Sequence, residues 1–246
     1  IEPEHWMAIA EIVKQNYDEH DGFVILHGSD TLAYTASALS FMFEGLKKPV
    51  ILTGSQLPIG MIRTDARENL ITAVEFATLQ MHDEPVLQEV EAFDAFISPN
   101  YPVLATAGVN LNFDFNELYR ADEEAFGLSK GFDNRIAVLT LFPGITQQLV
   151  ESVLENEMLR GIILLTFGSG NAPQHPWLMH SMEKAIERGV VMVNVTQCAK
   201  GNVEQGKYQT SVGLVSAGVV SCGDMTLEAT LTKLMFLLGQ SGDTAW

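Results

Sequence analysis

Asp21-Gly-Phe-Val-Ile-Leu-His-Gly-Ser-Asp-Thr31 divides into two halves of opposite character. Phe23 to Leu26 is an unbroken apolar run, the pattern of a strand covered on both faces. His27 to Thr31 is small and polar, the pattern of a loop feeding a helix. The unit recurs in Pro49-Val-Ile-Leu-Thr53, a second buried strand, followed by Gly54-Ser55-Gln56. Helical periodicity surrounds both. Residues 3–17 place Trp6, Ile9, Ile12 and Val13 on one face, with Pro3 in the first turn. Residues 30–43 read as a helix capped by Ser29 or Asp30, with bulk from Leu39, Phe41, Met42 and Phe43. Residues 64–81 read as a third. Strand and helix in alternation predict an α/β fold with a parallel sheet and right-handed crossovers.

The alternation then falters. After the third helix only Pro85-Val-Leu-Gln-Glu-Val90 resembles a strand, and Glu91-Ala-Phe-Asp-Ala-Phe begins at once. The expectation is a missing segment at the Val90–Glu91 junction, which an intact mass equal to 27.0 kDa would contradict. Residues 111–134 are polar, aromatic and acidic and read as a linker. Arg135-Ile-Ala-Val-Leu-Thr-Leu141 opens a second series. Strands at 161–166 and 189–195 alternate with helices at 146–155, 177–188 and 226–238. The predicted organisation is an N-terminal α/β domain over 1–110, a linker over 111–134 and a smaller α/β domain over 135–246.

Composition narrows the partners. The 246 residues include 31 acidic and 14 basic ones, a formal net charge of -17, which disfavours nucleic acid and anionic membrane. No apolar run is long enough to span a bilayer. Cys198 and Cys222 are read as reduced thiols, because nothing suggests a disulfide scaffold. The chain begins at Ile1 without an initiator Met, so its start is expected upstream.

Ligands of open parallel sheets bind beyond the carboxyl ends of the strands. Four loops stand there: His27-Gly-Ser-Asp-Thr31, Thr53-Gly-Ser-Gln56, Phe167-Gly-Ser-Gly-Asn171 and Thr196-Gln-Cys198. None is a P-loop and none is GxGxxG. In the first, Gly28 admits a close ligand, Ser29 supplies a hydroxyl, and Asp30 suits an ammonium group. The same Ser29 and Asp30 can equally cap the helix. Thr53, Ser55 and Gln56 are read as a turn or as substrate contacts, and Asp65 as a helix cap. His27 reads as a packed histidine and Cys198 as a small buried residue. His175 and His180 lack a carboxylate at ligand spacing, so no metal site is expected.

Residues 21–41 resemble a signature of bacterial L-asparaginases, most nearly the cytosolic type I group. Pro49-Val-Ile-Leu-Thr-Gly-Ser-Gln-Leu-Pro58, Arg63-Thr-Asp-Ala-Arg-Glu-Asn-Leu70, Phe167-Gly-Ser-Gly-Asn-Ala-Pro173, Val195-Thr-Gln-Cys198 and the stretch 223–234 extend the resemblance in order. It implies a larger N-terminal parallel-sheet domain and a smaller, flavodoxin-like C-terminal α/β domain. It implies hydrolysis of L-asparagine to L-aspartate and ammonia, without a cofactor, through a threonine acyl-enzyme. Ser29 matches the family's second threonine and Asp30 the adjacent aspartate, which also holds the substrate's α-ammonium. Gly28, Thr53, Ser55 and Gln56 join the substrate-binding set. Asn171, Thr196, Gln197 and Cys198 match a regulatory or interface region, although Leu165 stands where an allosteric arginine is found.

The attacking threonine of the family, in Thr-Gly-Gly-Thr-Ile, is not in these 246 residues. The family's lysine-bearing segment belongs at the Val90–Glu91 junction. The resemblance implies a cytoplasmic homodimer or homotetramer; one methylene is a modest discriminator, so L-glutamine stays open as a side substrate. Two other readings stand beside it. One is a catalytically incomplete binding or structural remnant. The other is the glutamine-hydrolysing subunit of a tRNA-dependent amidotransferase, which shares the first motif.

Overall fold

The computed structural model describes residues 1–78, 87–89, 98–107, 111–114, 125–206 and 209–240. They divide into two compact units, Ile1–Lys130 and Gly131–Trp246. The junction read as missing, Val90–Glu91, lies outside the described residues.

The first unit runs α1 (Pro3–Asn16), β1 (Phe23–Leu26), a single 3-10 turn (Ser29–Thr31), α2 (Leu32–Met42), β2 (Phe43–Glu44), β3 (Val50–Thr53), α3 (Ala66–Thr78), β4 (Leu87–Glu89), β5 (Ala105–Ala107), β6 (Leu111–Phe113) and β7 (Gly127–Leu128). Strands β1, β3 and β4 form a parallel sheet in that order, as the alternation predicts. Strand β3 is central and buried along its length. Strand β1 departs from expectation. Phe23, Val24 and Ile25 are only half-buried, and Leu26 is 68% exposed. An apolar run identifies a strand but not its place in the sheet, and β1 has a described partner on one side only.

Helix α1 buries Trp6, Ala10 and Val13, with Tyr17 just beyond its end. These residues recur every three or four positions, so Ile12 falls off the stripe and is exposed. Helix α3 sets Ala73, Phe76 and Ala77 against Ile51 and Ala105. Phe43 leaves α2 rather than continuing it, pairing with Leu128 across β2 and β7. Phe126 stacks on Tyr17, with ring centroids 3.8 Å apart. Parts of the stretch read as a linker thus contribute strands: β6 pairs with β5, and β7 with β2.

The second unit runs β8 (Ile136–Thr140), α4 (Gln147–Leu154), β9 (Gly161–Thr166), α5 (Pro176–Glu187), β10 (Val191–Thr196), α6 (Gln209–Ser216), β11 (Val220–Ser221) and α7 (Leu227–Gln240). Its sheet is wholly parallel, in the order β11-β10-β9-β8. Alternate residues of β9 face opposite ways, so both sheet faces are apolar. Ile162 and Leu164 pack with Val150, Leu178, Met182 and Leu214 of α4, α5 and α6. Ile163 packs with Leu234 and Leu238 of α7. Gly161 lies where a Cβ would come within 2.7 Å of Ile136 and 2.9 Å of Leu234.

Candidate active site

The register of the first sheet sets Leu26 opposite Thr53, so the loops after β1 and β3 leave the same edge side by side. The His27 N–H donates to the Thr53 carbonyl at 2.8 Å, continuing the ladder by one residue. A Cβ on Gly54 would stand 2.8 Å from the His27 carbonyl oxygen, so only glycine lets the loops approach this closely.

Ser29 and Asp30 do not cap α2 as the sequence suggests. Gly28 precedes the 3-10 turn and Thr31 precedes α2, and neither start has a side-chain cap hydrogen bond. Among the described residues no hydrogen bond or ion pair engages the Ser29 hydroxyl or the Asp30 carboxylate. Asp30 is exposed, Ser29 half-buried and Gly28 exposed. Gly28 has φ -79° and ψ 145°, ordinary extended backbone. A Cβ added there would meet no described atom within 4 Å. Neither conformation nor packing among the described residues requires glycine at this position.

His27 is anchored, in keeping with the sequence reading. Its Nδ1 is 2.7 Å from the Gly28 carbonyl, and its Nε2 is 2.9 Å from Thr35 Oγ1. Trp6 Nε1 donates to the same Thr35 oxygen at 3.1 Å. The Gly28 carbonyl can only accept, so Nδ1 carries a proton. In the neutral ring Thr35 therefore donates to Nε2 while accepting from Trp6. This chain of bonds ties the first residue of the loop to α1 and α2. A base needs a free nitrogen, and the imidazole has none to spare.

The loop after β3 is held from α3. Asp65 directly precedes that helix, and its carbonyl accepts the Asn69 N–H at 3.1 Å, but its carboxylate turns back to accept the N–H groups of Gln56, at 2.7 Å, and Leu57, at 3.0 Å. These bonds, Gln56 foremost, hold the Asp65 carboxyl below the usual carboxylate range against the opposing effect of burial. Asn69 donates to the Gly54 carbonyl at 2.8 Å and lies 3.4 Å from Asp65. Ser55 is half-buried and Gln56 exposed. Thr53 is 2% exposed, and its Oγ1 is buried without a partner among the described residues. The Arg-Thr-Asp-Ala-Arg-Glu-Asn stretch signals a helix start in sequence. The destination of its carboxylate appears only when the loop folds back onto it.

In the second unit, Phe167-Gly-Ser-Gly-Asn171 closes a tight turn. Phe167 and Asn171 exchange backbone bonds of 2.9 and 2.8 Å, with Gly168 and Gly170 at φ 50° and 100°. Thr196 Oγ1 donates to the Gly168 carbonyl at 2.5 Å and accepts from the Cys198 N–H at 3.0 Å. Gln197 Nε2 donates to the Leu141 and Leu165 carbonyls, both at 2.7 Å. Asn171, Thr196, Gln197 and Cys198 thus gather at one end of β9 and β10. Cys198 is exposed rather than buried, because it lies beyond the last paired residue of β10. Among the described residues no cluster of His, Cys, Asp and Glu could hold a metal ion. No described helix is long and apolar enough to cross a membrane.

Parallel α/β units with small hydroxyl- and carboxylate-bearing loops at the strand ends define a class suited to polar small-molecule chemistry. Comparison with known proteins narrows the class to a family. Residues 1–119 match the family model "Asparaginase, N-terminal", and residues 135–245 match "Glutaminase/Asparaginase C-terminal domain". L-asparaginase 1 of Escherichia coli strain K12 is 43% identical over 256 residues, covering 98% of this chain and 75% of that protein. The crystal structure of L-asparaginase I from Vibrio cholerae superimposes with a TM-score of 0.86 at 41% identity, covering 97% of this chain and 76% of that one. A glutamyl-tRNA(Gln) amidotransferase subunit from Pyrococcus abyssi is 31% identical, covering 98% of this chain but 60% of that protein. The chain therefore belongs to the asparaginase family of amidohydrolases and has its two-domain α/β fold. The match to the E. coli protein spans 256 positions, more than the 246 residues here. That relative therefore carries residues within the matched span that this chain lacks.

Proposed function

We propose that the protein hydrolyses L-asparagine to L-aspartate and ammonia through a threonine acyl-enzyme. The observation that carries this reading is the unspent pair Ser29 and Asp30, free of capping duties at the end of β1 in a chain of this family. The Asp30 carboxylate holds the substrate's α-ammonium, and the Ser29 hydroxyl supports the reacting amide. The threonine hydroxyl adds to the side-chain carbonyl carbon. The C–N bond then breaks, and ammonia leaves with a proton. Water cleaves the resulting ester, giving L-aspartate and restoring the hydroxyl. The acyl-accepting threonine is not assigned to any residue of this chain. Gly28, Ser55 and Gln56 line the substrate side, with Thr53 beneath them.

The reading includes a cytoplasmic homo-oligomer. Leu57, Ile59, Met61 and Ile62 form an exposed apolar stretch just after the β3 loop, which supports self-association. L-Glutamine is a second substrate, since one methylene is a modest discriminator. Asn171, Thr196, Gln197 and Cys198 form a regulatory or interface region. The likeness to an amidotransferase component favours glutamine hydrolysis for tRNA-dependent amidation as a second reading. The net charge of -17 opposes RNA contact and places it second. Ammonia release by the native protein, with L-asparagine and L-glutamine in parallel, decides. Preference for asparagine supports the first reading, and tRNA-dependent glutamine hydrolysis the second. No release from either amide would leave a binding remnant.

A further inference from the structure

We infer that Asp65 and Asn69 are positioning residues: from just before α3 and from its first turn they fix the β3 loop so that Ser55 and Gln56 face the substrate beside Ser29 and Asp30. The inference rests on the substrate reading above and deepens it. Asp65 is 4% exposed, and among the described residues no cation pairs with it. A carboxylate removed from solvent is costly unless its oxygens are satisfied. Here both oxygens are used on adjacent peptide groups of one loop, the Gln56 and Leu57 N–H groups. Asn69, itself 5% exposed, adds the Gly54 carbonyl from the same helix face. Thr64 Oγ1 closes the far side by donating to the Leu57 carbonyl at 2.8 Å. The loop 54–57 is thereby held through its main chain, leaving the Ser55 and Gln56 side chains available.

Capping the helix alone would not require this burial. A turn needing only to be closed could be closed by its own backbone. The carboxylate instead reaches back eight and nine residues to the loop that abuts the candidate site. The proximity of that loop to the first is enforced by the bond from His27 to Thr53 and by the absence of room for a Cβ on Gly54.

Steady-state hydrolysis of L-asparagine by the native protein and its Asp65→Asn variant tests this, with Met182→Ala as a control. Met182 is fully buried in the second unit, so that variant loses stability without touching the loop. Asp65→Asn replaces one carboxylate oxygen by an amide nitrogen that cannot accept. The expected result is a KM raised by about tenfold with kcat changed less, while Met182→Ala lowers Tm and leaves KM alone. Asn69→Ala, which removes only the Gly54 bond, is expected to raise KM several-fold and decides the matter should Asp65→Asn fail to fold. Unchanged KM in the folded variants overturns the inference while leaving the substrate reading intact. Absence of hydrolysis by the parent protein overturns both.

Discussion

Replacing Gly28 by alanine separates a glycine kept for a ligand from one kept for the fold. At φ -79° and ψ 145° the backbone suits alanine, and the added Cβ meets no described atom within 4 Å. Such a change reduces the freedom of the unfolded chain and is expected to stabilise by about 0.4–1 kcal/mol. A ligand seated against the Gly28 backbone would feel the opposite. The methyl group would displace it by roughly an ångström, and a misplacement of that size costs on the order of a hundredfold in rate. The expected outcome is a kcat/KM for L-asparagine lower by about a hundredfold, roughly 2.7 kcal/mol of transition-state stabilisation, with Tm unchanged or slightly higher. Gly54→Ala is the contrasting variant. Its Cβ would lie 2.8 Å from a main-chain oxygen, so it should lower stability by about 1–3 kcal/mol. Calorimetry and steady-state kinetics on both variants read the two effects separately. A Gly28→Ala protein with parental kcat/KM would show that no substrate approaches this backbone. A large fall in its Tm would show that the fold itself requires glycine there.

Thr35→Val removes the hydroxyl that serves both Trp6 and His27, and should cost about 1–3 kcal/mol in denaturant titrations, whereas Thr35→Ser should cost less than about 1 kcal/mol. Asp133 bonds Arg135 and lies near Arg160; these bonds, Arg135 foremost, hold its carboxyl down to about 2. A lowered carboxyl stabilises above its unfolded value of about 3.9, and that stability is lost as pH falls through the folded value. Asp133→Asn should therefore lower Tm at neutral pH, with the gap to the parent closing between about pH 4 and pH 2. Cys198 is exposed, whereas burial pushes the Cys222 thiol up. Limiting maleimide followed by peptide mass mapping should label Cys198 first; preferential labelling of Cys222 would contradict the geometry.

What can be read from the sequence follows its apolar runs. Phe23–Leu26 and Val50–Thr53 are strands, and their shared register brings the polar loops together as the parallel-sheet rule requires. The exposure of Leu26 is not legible, because hydrophobicity does not encode strand order. Helix α6 is hidden because Gln-Thr-Ser-Val-Gly-Leu-Val-Ser is a poor helix sequence whose form depends on burying Leu214. The two-residue strands β2 and β7 are too short to show a period. Asp65 shows the same limit at the site: its type and position signal a cap, and only tertiary folding supplies the loop N–H groups that it accepts.

The most direct measurement is kcat/KM for L-asparagine in the native protein and in Asp30→Ala, with Ser29→Thr beside them. Asp30 is exposed and free of partners among the described residues, so its loss should not disturb folding. If it anchors the substrate's ammonium, Asp30→Ala should lose at least about a hundredfold in kcat/KM, while Ser29→Thr keeps or raises activity. Parental kcat/KM in Asp30→Ala would contradict the placement of the substrate at the end of β1.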